Sequence, residues 1–203
     1  MQRRFTLKSM AAAGLLLPLA GFLGACSESK VQFHSVDLTG ADYAKDFQLT
    51  DFNGQPRTMA DYKGKVVVLF FGYTQCPDVC PTTMAELAEA KKLLGPDGDK
   101  LQGLFISVDP ERDTPEVLKA YMGSFDPSFV ALYANSPEKL AETAKAFKIY
   151  FKRVDGKTPT SYTMDHTAAS YVYDQKGQLR LYTRYGSGAQ ALADDVKLLL
   201  KGA

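Results

Sequence analysis

A chain of 203 residues that is 45% hydrophobic and 23% charged can bury a core of its own, so its three cysteines are not needed as structural staples. Its 24 Lys+Arg and 23 Asp+Glu give a formal charge of +1, but Arg3, Arg4 and Lys8 lie in the first 25 residues, leaving 21 basic against 23 acidic residues, near −2. No basic stripe remains that could neutralise several phosphates, which argues against nucleic-acid binding.

The N-terminal stretch differs from the rest. After the basic start, residues 10–25 carry no charge, and their apolar body (Leu15, Leu16, Leu17, Leu19, Phe22, Leu23) is interrupted by Pro18 and Gly21. A membrane-spanning helix needs about 20 apolar residues, so this stretch reads as a secretory leader. Leu23-Gly24-Ala25-Cys26 resembles the lipobox of bacterial lipoproteins, which implies cleavage before Cys26 and a diacylglyceryl thioether on its sulfur. Arg3-Arg4-Phe5-Thr6-Leu7-Lys8 resembles a twin-arginine export signal, with Thr6 where that pattern prefers an apolar residue. The expected division is a leader at 1–25, a lipidated Cys with a polar tether at 26–40, and one folded domain at 41–203.

Along that domain, Phe47-Gln48-Leu49-Thr50 alternates, residues 51–54 turn, and 57–59 return, an N-terminal β-hairpin. The run Val66-Val67-Val68-Leu69-Phe70-Phe71 suits a strand covered on both faces. Apolar residues at helical spacing (Met84, Leu87, Ala88, Leu94) predict a helix over 82–94, with Pro81 in its first turn. Residues 101–108 read as a second buried strand. Thr114-Pro115-Glu116 and Ser136-Pro137-Glu138 open helices to about 122 and 147. A hairpin follows, with strands at 170–173 and 179–185 around the turn at 174–177, and residues 189–200 close the chain as a helix. This order predicts an α/β domain with a thioredoxin-like fold, a mixed central sheet flanked by helices.

Cys76 and Cys80 lie just past the end of the first buried strand and just before a helix, where ligand sites of open α/β sheets collect. Free N–H groups and the positive end of the helix dipole favour a thiolate there. Three residues separate the pair, one more than in the usual thioredoxin-type redox motif. Two nearby thiolates are soft ligands suited to Cu(I). A closed zinc site would want four ligands, and a structural disulfide would close only a tiny loop and so stabilise little. The alternative is a redox-active dithiol able to form a disulfide, from which the wider spacing leads away. Asp78, between the two, reads as an outer hydrogen-bond acceptor or a solvated turn residue.

Two histidines exist. His34 falls in the tether and reads as a solvated residue. His166, in Thr163-Met164-Asp165-His166-Thr167, precedes a late strand, where a thioredoxin-like fold brings a loop beside the cysteine helix. A neutral imidazole would supply the third ligand that two thiolates need to hold Cu(II), with Asp165 as the group expected to orient it.

The segment from Phe70 to Pro81 (Phe-Phe-Gly-Tyr-Thr-Gln-Cys-Pro-Asp-Val-Cys-Pro), then Ser107-Val108-Asp109-Pro110-Glu111-Arg112-Asp113-Thr114-Pro115, then Asp165-His166-Thr167 resemble the Sco/SenC family. The resemblance implies a membrane-tethered copper metallochaperone with ligands at Cys76, Cys80 and His166, delivering copper to the binuclear centre of cytochrome c oxidase. Its partners would be the copper-bearing oxidase subunit and other periplasmic copper chaperones. The lipid on Cys26 would hold it at the periplasmic side of a membrane, the inner one by functional need, although Ser27 points the other way in some bacteria. Asp109 and Asp113 read as a strand-end and helix-entry element, not as ligands. The competing function is thiol:disulfide exchange on copper-protein partners. Peroxide reduction, suggested by Lys63-Gly64-Lys65 before a buried strand, lacks its Thr at the right distance from Cys76.

Overall fold

A computed structural model describes residues 31–158 and 161–203, so the leader, Cys26 and the first part of the tether lie outside the described residues. Eight strands form one sheet: β1 (Val36–Asp37), β2 (Leu49–Asp51), β3 (Pro56–Arg57), β4 (Val66–Gly72), β5 (Leu101–Ser107), β6 (Val130–Tyr133), β9 (Ala169–Tyr173) and β10 (Leu179–Arg184). Their order is β1-β10-β9-β4-β5-β6-β2-β3. Two further strands, β7 (Phe151–Asp155) and β8 (Tyr162–His166), pair only with each other. The helices are α1 (Val79–Leu93), α2 (Pro115–Gly123), α3 (Pro137–Ala146) and α4 (Ala189–Leu200).

The centre follows from the sequence. β4 is apolar throughout, β5 is apolar apart from Gln102 and Ser107, and both are buried at every position, because each has strands on both sides and helices cover the faces. They run parallel in register from Val66↔Leu101 to Gly72↔Ser107, so both end at one edge. Phe70, Phe71, Phe105, Phe129, Phe147 and Tyr173 are among the largest fully buried side chains. Thr114 and Ser136 cap α2 and α3 by accepting from the Val117 and Lys139 backbone N–H groups, each ahead of a proline at the first helical position. The N-terminal hairpin is β2–β3, hung on β6.

Other features depart from expectation. β6, four residues long, fills the stretch between α2 and α3. The β7–β8 hairpin occupies residues that show no clean alternation, since β7 is almost wholly exposed. α1 begins at Val79, three residues earlier than its apolar repeat, so Cys80 and Pro81 sit in its first turn. β1 lies inside the stretch read as tether and pairs with β10, so the folded domain starts before residue 41. Among the described residues no helix is long and apolar enough to cross a membrane.

The start of the domain is pinned by a buried acid. Asp195 of α4 is fully buried and accepts from the backbone N–H groups of His34 (2.8 Å) and Ser35 (2.9 Å). Charge-assisted bonds of this kind contribute about 1.5–3 kcal/mol. Asp195→Ala is therefore expected to lose stability on that scale, read by denaturant unfolding, and to expose residues 31–37 to proteolysis.

Candidate metal centre

The parallel register of β4 and β5 places the loops after Gly72 and Ser107 side by side. The first loop is tied to the second through Asp113. Its carboxylate accepts from Thr74 Oγ1 (2.6 Å), from the Thr74 backbone N–H (3.2 Å) and from Ser107 Oγ (2.6 Å). Burial pushes the Asp113 carboxyl above its ordinary range, and these donors only partly offset that. The loop then turns, with the Cys76 N–H bonded to Tyr73 O at 3.3 Å, and enters α1.

Cys80 is fully buried and Cys76 half-buried. Space for the Cys80 sulfur depends on Gly72, where a Cβ would stand 2.9 Å from that sulfur and 2.8 Å from the Phe70 and Phe105 rings. The Cys80 backbone N–H points at Cys76 Sγ, 3.5 Å away. Asp78, at the N-cap position of α1, makes no side-chain bond to the helix backbone, and its carboxylate instead accepts weakly from Thr82 Oγ1 at 3.4 Å.

His166 reaches the pair from the end of β8. Its Nε2 lies 3.3 Å from Cys80 Sγ, and its Nδ1 lies 3.1 Å from Thr167 O. A carbonyl can only accept, so the Nδ1 proton goes to Thr167 O and Nε2 keeps its lone pair toward the sulfurs. Phe70 and Tyr73 meet the imidazole edge-on, at centroid distances of 5.7 and 5.9 Å. The ligand atoms of Cys76, Cys80 and His166 all lie within 4.8 Å of one another. Asp165, expected to orient the ring, is exposed, and the main chain performs that task in its place.

The three groups are tuned differently. Burial works against a Cys76 thiolate, but the backbone N–H groups of Asp78 and Cys80 outweigh it and the thiol falls below its ordinary value. Burial pushes the Cys80 thiol well up, with the charges of Cys76 and Asp113 adding to it. Burial also disfavours the imidazolium and holds His166 low. At neutral pH the arrangement is a reactive sulfur near the surface, a protonated thiol in the core and a neutral imidazole accepting from it. Two sulfurs and one imidazole nitrogen suit a soft or borderline ion such as copper and not the hard oxygen-seeking cations.

Comparison with known proteins supplies the family. The SCO1/SenC family model matches residues 36–201. This chain belongs to the SCO1/SenC family. It is 41% identical over 134 residues to Protein SCO2, mitochondrial, of Saccharomyces cerevisiae, a match covering 65% of this chain and 44% of that protein. The chain spans less than two thirds of the length of the curated relatives it first matches. Among solved structures, Bradyrhizobium japonicum ScoI with copper bound is 43% identical with a TM-score of 0.69, covering 76% of this chain and 98% of that one. Apo Sco1 from Thermus thermophilus, a solution structure, is 36% identical with a TM-score of 0.74, covering 85% and 99%. These likenesses agree with the thioredoxin-like fold expected from the element order.

Cys26 lies outside the described residues, and His34 stands at the start of the domain, bonded through its backbone to Asp195 and not grouped with the cysteines. The residues that the sequence reading missed are Gly72, Thr74, Tyr73 and Thr167, and only their neighbourhood to Cys76 or His166 marked them. Replacing Asp113 tests the loop tie. Asp113→Ala leaves three donors without an acceptor and is expected to cost about 2–3 kcal/mol, while Asp113→Asn keeps an acceptor for Thr74. Because folding raises the Asp113 pKa, the folded state binds the extra proton, so stability from this group is gained as pH falls through the folded-state value toward the unfolded one. Urea melts in a pH series descending from neutrality should therefore show wild type gaining on Asp113→Asn upon acidification.

Proposed function

We propose that this SCO1/SenC protein is a copper metallochaperone, holding copper as cargo between Cys76, Cys80 and His166 and delivering it to the binuclear centre of cytochrome c oxidase. The observation that carries the reading is the convergence of two sulfurs and an imidazole nitrogen within 4.8 Å, in a chain of this family. Each residue has a distinct part. Cys76, the more exposed and more acidic thiol, makes the first and last bond to the ion. Cys80 gives up its proton as the ion enters, and His166 offers Nε2 without any proton to lose. Delivery proceeds by ligand exchange, in which acceptor thiolates or imidazoles replace these ligands in turn with no change in electron count.

The same proposal includes a secretory leader at 1–25 and lipidation of Cys26, followed by a tether, with the domain on the periplasmic side of a membrane. Its partners are the copper-bearing oxidase subunit and other periplasmic copper chaperones. β1 enters the domain at the sheet edge that carries Gly72 and Cys76, since Val36 pairs Tyr182 near the end of β10 and Arg184 pairs Ala169 at the start of β9. The residues just before β1 therefore enter the domain at the same edge as the proposed copper site.

A second reading has its own support. Both cysteines are free, one half-exposed and acidic and the other buried beside it, as an attacking and a resolving thiol would be. In that role the two thiols become a disulfide while a partner's disulfide takes up two electrons and two protons.

Anaerobic titration with copper separates the readings. Wild type should take up one ion per chain and release protons, so affinity should rise with pH and fall away in acid. His166→Ala should lose Cu(II) by more than the roughly 10- to 100-fold that an outer-shell change costs. Unchanged copper binding in that variant would remove the three-ligand site, and rescue of oxidase assembly by it would favour thiol exchange.

A further inference from the structure

The strand that carries His166 shares no ladder with the main sheet, because β7 and β8 form a separate two-stranded sheet. The His166 end of this hairpin is held by Thr167, whose backbone and side chain bond the Tyr150 backbone, and by the buried Met164. The other end of β8 is Tyr162, and it is held by a cluster of charged groups from the loop between β5 and α2 and from β7. The Tyr162 ring lies between two guanidinium groups, Arg112 at 3.5 Å and Arg153 at 3.8 Å from its centroid. Its hydroxyl donates to Asp109 Oδ1 at 2.8 Å. Asp109 is itself buried and paired with Arg112, while Arg153 pairs with Glu111.

Arg112 joins the two halves of the metal centre. Its Nη1 donates to Tyr162 O at 2.9 Å and to Gln75 Oε1 at 3.0 Å. Gln75 directly precedes Cys76, and Tyr162 stands on the strand that ends in His166. One guanidinium thus bridges the cysteine loop and the histidine hairpin, segments 87 positions apart by these contacts (Tyr162 minus Gln75) that share no backbone ladder. The Arg112 group also lies 5.7 Å from the centroid of Tyr73, the ring set edge-on against the imidazole. Side chains at strand ends move with their strand, so a shift of β8 carries Nε2 with it, while the sulfurs stay fixed by α1 and Asp113.

We infer that Arg112 and Tyr162 are positioning residues for the third ligand: the Arg112–Tyr162–Arg153 stack sets where His166 Nε2 stands relative to Cys76 and Cys80. The inference rests on the copper-site reading above. Its chemical consequence is selective. Two thiolates alone still suit Cu(I), whereas Cu(II) needs the imidazole as well. Loosening the stack should therefore cost Cu(II) far more than Cu(I), which a general loss of folding would not do.

The test uses the purified chain loaded with one equivalent of Cu(I) or Cu(II), comparing Arg112→Gln, Tyr162→Ala and His166→Ala with wild type. Readouts are imidazole scattering in X-ray absorption, the Cu(II)–thiolate charge-transfer band, and affinity by chelator competition, with thermal unfolding recorded alongside. Arg112→Gln and Tyr162→Ala should lose imidazole scattering and weaken Cu(II) by about 10- to 100-fold, with Cu(I) held by the sulfurs. Wild-type scattering and Cu(II) affinity in both, while His166→Ala loses them, would overturn the positioning role and leave the copper site standing. Unchanged copper binding in His166→Ala would overturn both. Should the two variants fail to fold, Arg153→Ala decides, since it removes one exposed side of the stack. A Cu(II) loss of about two- to fivefold supports the role and wild-type affinity overturns it.

Discussion

A carboxylate out of water is costly unless donors surround it, and Asp113 is buried with three of them. Two donors belong to Thr74, two residues before Cys76, and the third to Ser107, at the end of the neighbouring parallel strand. The penalty of burial is thus offset only while the two loops stay together, which makes the carboxylate a constraint on the cysteine loop. The next residue back, Arg112, extends the same turn to the hairpin that carries His166. One short segment between β5 and α2 touches both ligand-bearing parts of the site without contributing a ligand.

The asymmetry of the two cysteines follows from where the helix begins. Cys80 falls in the first turn of α1, against Phe70 and Phe105, so its sulfur is part of the core and its proton is hard to remove. Cys76 precedes the helix, and its sulfur takes a backbone N–H that the turn leaves without a partner. A carrier needs one firm ligand and one that can be reached from outside. Burial supplies the first and position before the helix supplies the second.

The central strands, three of the helices and the last hairpin could be read from the sequence because their residues obey local rules: an unbroken apolar run in β4 and a mostly apolar one in β5, a Ser or Thr cap before a proline in α2 and α3, a glycine-bearing turn before β10. The early start of α1 was hidden because Pro81 and the polar Thr82 and Thr83 mask its first turn. β7–β8 was hidden for a different reason. Its strands are stabilised by each other and by the Arg–Tyr stack, one side of which is Arg112, 50 positions before Tyr162, a contact that leaves no local pattern. At the site, residue type was enough to select Cys76, Cys80 and His166. The orienting group was misassigned to Asp165, because an acidic neighbour is visible in a sequence and a carbonyl belongs to every residue.

The third residue between the cysteines now has a geometric meaning. Asp78 occupies the N-cap position but makes no side-chain bond to the helix backbone, and Pro81 has no N–H to offer. The first turn of α1 is therefore short of one donor and without its usual acceptor. The sulfur of Cys76, four residues before Cys80, folds back to accept the Cys80 N–H and stands in for the missing acceptor. A cap made of oxygen would serve the helix alone. A cap made of sulfur serves the helix and also presents a thiol, lowered in pKa by the same N–H groups, within 4.8 Å of His166 Nε2. The same bond thus couples the start of the helix to the chemistry of the site.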